Sequence, residues 1–375
     1  MSIRAISLLI FTLLLSSWLM AKDTRGIPPR NRAFSIAPHY GFVVPHTSQM
    51  THLIQGHSYG IFASYYRPVN NTAMWHSAYN YPEQGVDIGY INTGNLRQLG
   101  SQFAVKYWLD LPLNRYRPEK TTFTNKGFHH WLGLGLGVGY ATKVWDLETN
   151  HQSSVLGSKI NTSLNLQYAM RLMKFRQSEI RFGLRISHFS NGAFQLPNLG
   201  TNNAAIFLSY HHIANDGMDL RRQEIIVPEK YRFTISLSGG LKEIPPPTGH
   251  KFGIGIFTLL GERRITYKSS LGFGTDVFYN SSLQTLMERR EDGPVKKVDA
   301  MQNGLFFSYT MHFDDFELKM QQGIYLRDLW KVDGTLYHRF GLRYRINAKW
   351  FASLMLKTHF AKADYGELGF GYTLK

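Results

Sequence analysis

Residues 156–171 read Leu156-Gly157-Ser158-Lys159-Ile160-Asn161-Thr162-Ser163-Leu164-Asn165-Leu166-Gln167-Tyr168-Ala169-Met170-Arg171. Leu156, Ile160, Leu164, Leu166, Tyr168 and Met170 fall on even positions, with Ser158 and Thr162 as exceptions; Gly157, Lys159, Asn161, Ser163, Asn165, Gln167 and Arg171 fall on odd ones. Successive side chains of a strand point to opposite faces, so this period of two separates an apolar wall from a polar one. The run is too long and regular for most soluble strands. It fits a strand with lipid on one side and a wet lumen on the other. Residues 131–140 repeat the pattern in another form: Leu132, Leu134, Leu136, Val138 and Tyr140 share one face, and Gly133, Gly135, Gly137 and Gly139 share the other. Inward glycines let strands and lumen contents approach closely.

Similar runs occur at residues 103–111, 180–190, 204–212, 233–241, 254–261, 265–279, 305–313, 316–326, 337–346, 350–360 and 365–374. Earlier in the chain, residues 35–44, 59–66 and 86–90 are less regular additions. The expected fold is all-β, a transmembrane antiparallel β-barrel of about 14 to 16 strands. Residues 1–21 have a basic start, an apolar run and a small residue at Ala21, and are expected to be a secretory signal peptide. No later stretch is apolar enough to cross a membrane as a helix, so residues 22–375 would enter it as strands.

Composition agrees. The chain has 375 residues, no cysteine, 34 glycines and 14% aromatic residues. A disulfide scaffold, a thiol enzyme and a cysteine-ligated metal site are excluded. The formal net charge is +16. Its lysines and arginines are dispersed, which argues against nucleic acid and for an anionic lipid surface, with Arg181, Arg185, Arg339, Arg343 and Arg345 expected in the lumen. The adjacent pairs His129-His130 and His211-His212 point to opposite faces and make no metal site. Trp75, Trp131, Trp330 and Trp350 are expected in interfacial girdles.

Tight reversals are expected at residues 261–264, 314–315 and 347–349, and longer polar loops at 281–301 and 327–335. Short turns belong on the periplasmic side, which places the connection 191–203 outside the cell. Connections near residues 70–84, 112–126 and 213–230 then face the periplasm, which calls for either further strands or a segment folded into the lumen.

The residues with chemical potential are concentrated in Ser187-His188-Phe189-Ser190-Asn191-Gly192 and Gln195-Leu196-Pro197-Asn198-Leu199-Gly200-Thr201-Asn202. His188 and Ser190 are two apart, so they share a strand face, the minimum geometry for a serine nucleophile beside a histidine base. Ile180, Phe182, Leu184 and Ile186 have the same parity, which puts the pair on the lipid-facing wall, where ionisable groups are costly and usually functional. Asn202 begins the returning strand on its own apolar face and is placed to orient the imidazole. The oxyanion of ester attack needs preorganised donors, and Asn191, Gly192 and Asn198 are the candidates.

His188-x-Ser190-Asn191 followed by Pro197-Asn198-x-Gly200 resembles the lipid A 3-O-deacylase (PagL) and acyloxyacyl-hydrolase-like family of outer-membrane esterases. The resemblance implies a base at His188 and a nucleophile at Ser190. The family's acidic third member falls at Asn202, an amide here, and no Asp or Glu occurs between Ile186 and Asn215. In that respect the chain is similar to outer-membrane phospholipase A, whose third member is an asparagine at this spacing. The barrel context of the resemblance spans residues 35–213 and leaves 214–375 as additional strands.

The expectation is a lipid A deacylase of the Gram-negative outer membrane. Lipopolysaccharide and membrane lipids would be its partners, and it would need no cofactor and no metal. Its alternatives are a phospholipase A, for which calcium and dimerisation would follow, and a non-catalytic porin or structural barrel.

Overall fold

The computed structural model describes residues 33–68, 73–114, 129–175, 177–213, 224–227, 230–290, 294–360 and 362–374; the leader expected at residues 1–21 lies outside them. Eight strands come first: β1 Ala33–Val43, β2 Ser58–Pro68, β3 Glu83–Asn92, β4 Ser101–Pro112, β5 His130–Ala141, β6 Ile160–Phe175, β7 Ser178–Ser190 and β8 Thr201–Ile213. Eight more follow: β9 Tyr231–Lys242, β10 Phe252–Arg264, β11 Ser269–Asn280, β12 Met301–Phe313, β13 Phe316–Arg327, β14 Leu336–Arg345, β15 Trp350–His359 and β16 Lys362–Thr373. Each run of alternating residues in the sequence became one of these antiparallel strands.

The sixteen strands do not close into one cylinder. β8 returns to pair with β1, from Ala33 opposite Ile213 to Val43 opposite Asn203. β16 returns to β9, with Leu368 opposite Gly239 and Thr373 opposite Thr234. The result is two closed eight-stranded barrels. Alternation is the same for strands of either assembly, so only the partner of β8 decides between them. An eight-stranded barrel is just wide enough for inward side chains to fill it.

Among those side chains is a set of buried charges that pair with one another. In the first barrel Arg181 is fully buried, forks onto Glu83 at 2.8 and 2.7 Å, and stacks 3.7 Å over the Trp131 ring. Lys106 lies 3.2 Å from Asp87. In the second barrel Arg339 bonds Asp276 at 2.6 Å and both oxygens of Glu367. Arg343 bridges Glu317 and Glu262, and Glu262 also accepts from Lys319 at 2.7 Å. Both lumens are filled by these cross-braced ions together with buried aromatic, aliphatic and neutral polar side chains such as Phe62, Phe207, Phe278 and Tyr337. The outer walls carry Phe34, Ile36, Leu184, Ile206, Leu237 and Phe273, all exposed.

Several local expectations change. The reversal expected at residues 261–264 lies at 265–268, because β10 continues to Arg264 and Glu262 points into the lumen. Charges there read as a turn but serve as ion-pair partners. Arg345 sits outside the lumen, exposed and paired with Asp315 at 2.9 Å, while Arg181, Arg185, Arg339 and Arg343 are buried as expected. Of the four tryptophans, Trp350 lies on the outer wall against Phe370 and Tyr372. Trp131 is a lumen residue under Arg181, Trp330 packs on a loop cluster with Leu286 and Val295, and Trp75 is buried in the helix Met74–Ala78.

That helix accounts for the connection after β2. Trp75 and Tyr79 pack with Tyr267, Met311 and Phe313 of the second barrel, and the Tyr79 hydroxyl donates to the Lys268 carbonyl at 3.3 Å. The segment therefore joins the two barrels at the end that carries the hairpin turns. Its described residues, 73–82, neither enter the lumen nor add a strand; the connections expected at residues 112–126 and 213–230 lie mostly outside the described residues.

Removing one member of a buried ion pair strands its partner, at about 3–5 kcal/mol. Arg339→Ala is expected to destabilise the protein by that order, and Arg345→Ala by under about 1 kcal/mol because its pair is exposed. Urea unfolding in lipid vesicles checks the contrast.

Candidate functional site

β7 carries Ile180, Phe182, Leu184 and Ile186 on its outer face, and the same parity brings His188 and Ser190 to its upper end. The antiparallel register sets His188 directly opposite Asn202 and Ser190 opposite Thr162. His188 Nδ1 lies 2.7 Å from Asn202 Oδ1. An amide oxygen only accepts, so Nδ1 carries the hydrogen and the lone pair of the neutral ring is on Nε2.

Ser190 is outward by parity yet only 8% exposed, because residues 191–200 fold over it. The turn needs left-handed backbone at Gly192 and Ala193. It aims the Gly192 N–H at Ser190 Oγ, 3.2 Å away, and the Asn198 side-chain Nδ2 donates to the same oxygen at 3.0 Å. Both lone pairs of the hydroxyl are thereby engaged, leaving its proton as the free function. Among the hydrogen bonds of the described residues there is no direct one between His188 and Ser190; such bonds commonly tighten only with substrate.

Asn198 is itself oriented. Its Oδ1 accepts from the Asn191 N–H at 3.0 Å, which turns Nδ2 toward Ser190. The Asn191 side chain is engaged within the loops, donating to Ser158 Oγ at 2.8 Å and the Gln195 carbonyl at 2.9 Å, and accepting from the Gln195 N–H. Gly200 closes the turn with φ 76°, and a Cβ there would stand 2.9 Å from both His188 Cε1 and the Phe189 carbonyl oxygen. Beneath the site, the fully buried Phe189 belongs to an apolar plug with Met50, Leu53, Val155 and Leu156, against which Leu199 packs. The upper loops therefore have a firm floor.

Two further residues join the site without having been foreseen. His46, just beyond β1, approaches Asn202 Nδ2 through Nδ1 at 3.2 Å and the Leu199 carbonyl through Nε2 at 3.0 Å. Glu243, one residue beyond β9, reaches across from the second barrel. Its Oε2 accepts from the Leu196 N–H and from Lys251, both at 3.0 Å, its Oε1 accepts from the Gly249 N–H, and its own N–H donates to the Ala193 carbonyl. Burial alone would raise the Glu243 carboxyl, but the Leu196 and Gly249 N–H groups and the Lys251 ammonium hold it below its ordinary range. Lys251 also stands 4.9 Å over the Phe194 ring. Neither residue had a sequence signal, since each lies just past a strand end, where alternation stops.

Among the described residues no group of three or more His, Asp or Glu is placed to hold a metal ion. His211 bonds Tyr66 and Ser209 inside the lumen, while His212 contacts Ser178 and Phe34 outside, so that pair does divide between faces.

Residues 60–211 match the family model described as lipid A 3-O-deacylase (PagL), and residues 231–375 match acyloxyacyl hydrolase, C-terminal domain. The boundary between the two matches coincides with the boundary between the barrels. No curated protein matches the chain. Among solved structures, a mutant of the Rh. blastica porin aligns at 10% identity over 92% of this chain and 99% of that one, with a TM-score of 0.19. A triple mutant of Rhodopseudomonas blastica porin aligns at 7% identity over the same shares, with a TM-score of 0.17.

Gly200→Ala combines positive φ with a clash against His188 and is expected to lower turnover by at least about tenfold while the barrels stay folded. Far-UV circular dichroism and lipid deacylation assays separate the two effects. The Glu243 contacts depend on its ionised form. Because its folded pKa is depressed, their contribution is present above the ordinary carboxyl range and lost as pH falls through the folded pKa. The protection factor of the Leu196 amide, its exchange rate relative to the intrinsic one at each pH, should fall on acidification, and Glu243→Gln should flatten that dependence.

Proposed function

The chain belongs to the lipid A 3-O-deacylase (PagL) family, and from that premise we propose that Ser190, His188 and Asn202 form its esterase site on the lipid-facing wall. One observation carries this reading: the hydrogen bonds leave a proton free on Ser190 and a lone pair free on His188 Nε2, on the same strand face. Ester attack by a serine requires that complement.

Ser190 Oγ attacks the carbonyl carbon of an acyl ester of lipid A as its proton passes to His188 Nε2. The carbonyl π electrons move to oxygen, and the resulting oxyanion is received by the Gly192 N–H and Asn198 Nδ2. Asn191 serves by turning the Asn198 amide. Collapse breaks the ester C–O bond, and His188 returns its proton to the departing sugar oxygen. Water, deprotonated by His188, then hydrolyses the acyl-enzyme and restores Ser190. No metal or cofactor enters these steps. Asn202 keeps Nδ1 protonated, although an amide stabilises the imidazolium less than a carboxylate does.

The apolar wall of Leu184, Ile186 and Ile206 beside the site suits the acyl chains of a lipid held in the outer leaflet of the outer membrane, with the 191–200 loop at the cell exterior. Filled lumens offer no open channel, which weighs against a porin role.

Mass spectrometry of lipid A and phospholipids from cells expressing wild type or Ser190→Ala tests the assignment. Loss of one ester-linked chain of lipid A only with wild type is expected. Lysophospholipid instead would point to a phospholipase, and no change in either pool would sink the enzyme reading. Asn198→Ala is expected to lower turnover about 10²–10³-fold, as removal of an oxyanion donor does. Asn202→Ala should lower activity with the barrels intact, and unchanged kinetics would remove Asn202 from the mechanism.

A further inference from the structure

We propose that His46 is a positioning residue that locks the side-chain amide of Asn202 in the orientation that makes His188 a base. The proposal rests on the serine-site reading above and explains how an amide can orient the imidazole at this position.

A carboxylate presents an acceptor whichever way it is turned. An asparagine does not, because one end of its amide accepts and the other donates. Turned one way, Oδ1 faces His188 and holds Nδ1–H, leaving the lone pair on Nε2, toward the serine. Turned the other way, the NH2 group faces His188 Nδ1, which must then accept; the ring hydrogen moves to Nε2, and the base is lost. An asparagine in this position therefore needs something else to choose its orientation.

The contacts of His46 supply the choice. Its Nε2 lies 3.0 Å from the Leu199 carbonyl oxygen, which can only accept, so Nε2 carries a hydrogen. Neutral His46 then has its lone pair on Nδ1, which lies 3.2 Å from Asn202 Nδ2 and accepts from it. With the NH2 end claimed, Oδ1 is directed at His188 Nδ1, 2.7 Å away. Reversing the amide would set Oδ1 against His46 Nδ1 while Nε2–H still serves Leu199. That arrangement satisfies every group only if His46 takes up a second proton. The orientation of Asn202 is thus set by a backbone carbonyl, relayed through one imidazole to a second.

Anchorage of the relay is firm at both ends. The Val44 N–H donates to the Asn202 carbonyl at 2.7 Å, which ties the segment bearing His46 to the start of β8. Leu199 packs on the apolar plug, and the next residue, Gly200, donates to the Val155 carbonyl at 2.8 Å.

His46→Ala is expected to leave KM nearly unchanged and to lower kcat about tenfold, as if about one tenth of the molecules kept a competent amide. Asn202→Asp is the informative partner, because its carboxylate has no wrong way round. His46→Ala/Asn202→Asp should recover the kcat of Asn202→Asp alone, measured by acyl release from purified lipid A with the barrels checked by circular dichroism. Wild-type kcat in His46→Ala would overturn the lock. If His46→Ala lowers kcat by the same factor in the Asn202→Asp background as in wild type, the lock is also overturned, since His46 would then act through the loop and not through the amide. Ser190→Ala in the same assay separates the two levels of argument. If it retains activity, the serine site itself fails; if it is inactive while His46→Ala is normal, only the lock fails.

Discussion

A strand that enters lipid must find a partner for every backbone N–H and carbonyl, because hydrocarbon offers none. That requirement dictates closure, and here it is met twice, by β8 on β1 and by β16 on β9. Closing at eight strands leaves lumens narrow enough that side chains must fill them. Glycines at 133 and 139 make the room: a Cβ at Gly133 would stand 2.1 Å from Asp110 Oδ1, and one at Gly139 would stand 2.3 Å from the Phe189 ring. The filled lumen in turn gives β7 a rigid back, so that its outward face can hold His188 and Ser190 at fixed positions.

The second barrel bears on the same site from outside the first. Glu243 accepts the Leu196 N–H and donates its own to the Ala193 carbonyl, bracketing the loop that covers Ser190. A Cβ on Gly192 would meet Leu356 at 3.3 Å and the Gly366 backbone at 3.4 Å, so the turn that aims an N–H at the serine lies against the neighbouring wall. At the opposite end, Trp75 and Tyr79 pack on Phe313 and Tyr267. The two barrels are thus joined at both rims, and one join is made to the loop over Ser190.

Much of this was legible in a single chain. A period of two located all the strands, and parity alone put His188, Ser190 and Asn202 on the apolar wall. The two-residue spacing of His188 and Ser190 and the turn residues after them singled out the candidate site, whose members the fold brings close together. Residues 261–264 were misread because a charged cluster looks the same at a hairpin tip and in a lumen; Glu262 needed Lys319 and Arg343, which lie on strands far along the chain. Trp131 was misread for a related reason, since its ring faces Arg181 and not the membrane interface.

Sequence by itself determined the strands, their inner and outer faces and the residues that share the lipid-facing wall, because alternation is a local property of extended backbone. It also carried the motif that marks the family. Tertiary structure alone decided that sixteen strands close as two barrels, since closure depends on which distant strand β8 meets. It alone brought His46 to Asn202 and Glu243 to Leu196, across 156 and 47 positions of chain. It also separated Asn191, engaged within its loops, from Gly192 and Asn198, which face Ser190. Hydrogen bonds of that kind are directional over a few ångströms, and no pattern of neighbours along the chain encodes where two loop ends will meet.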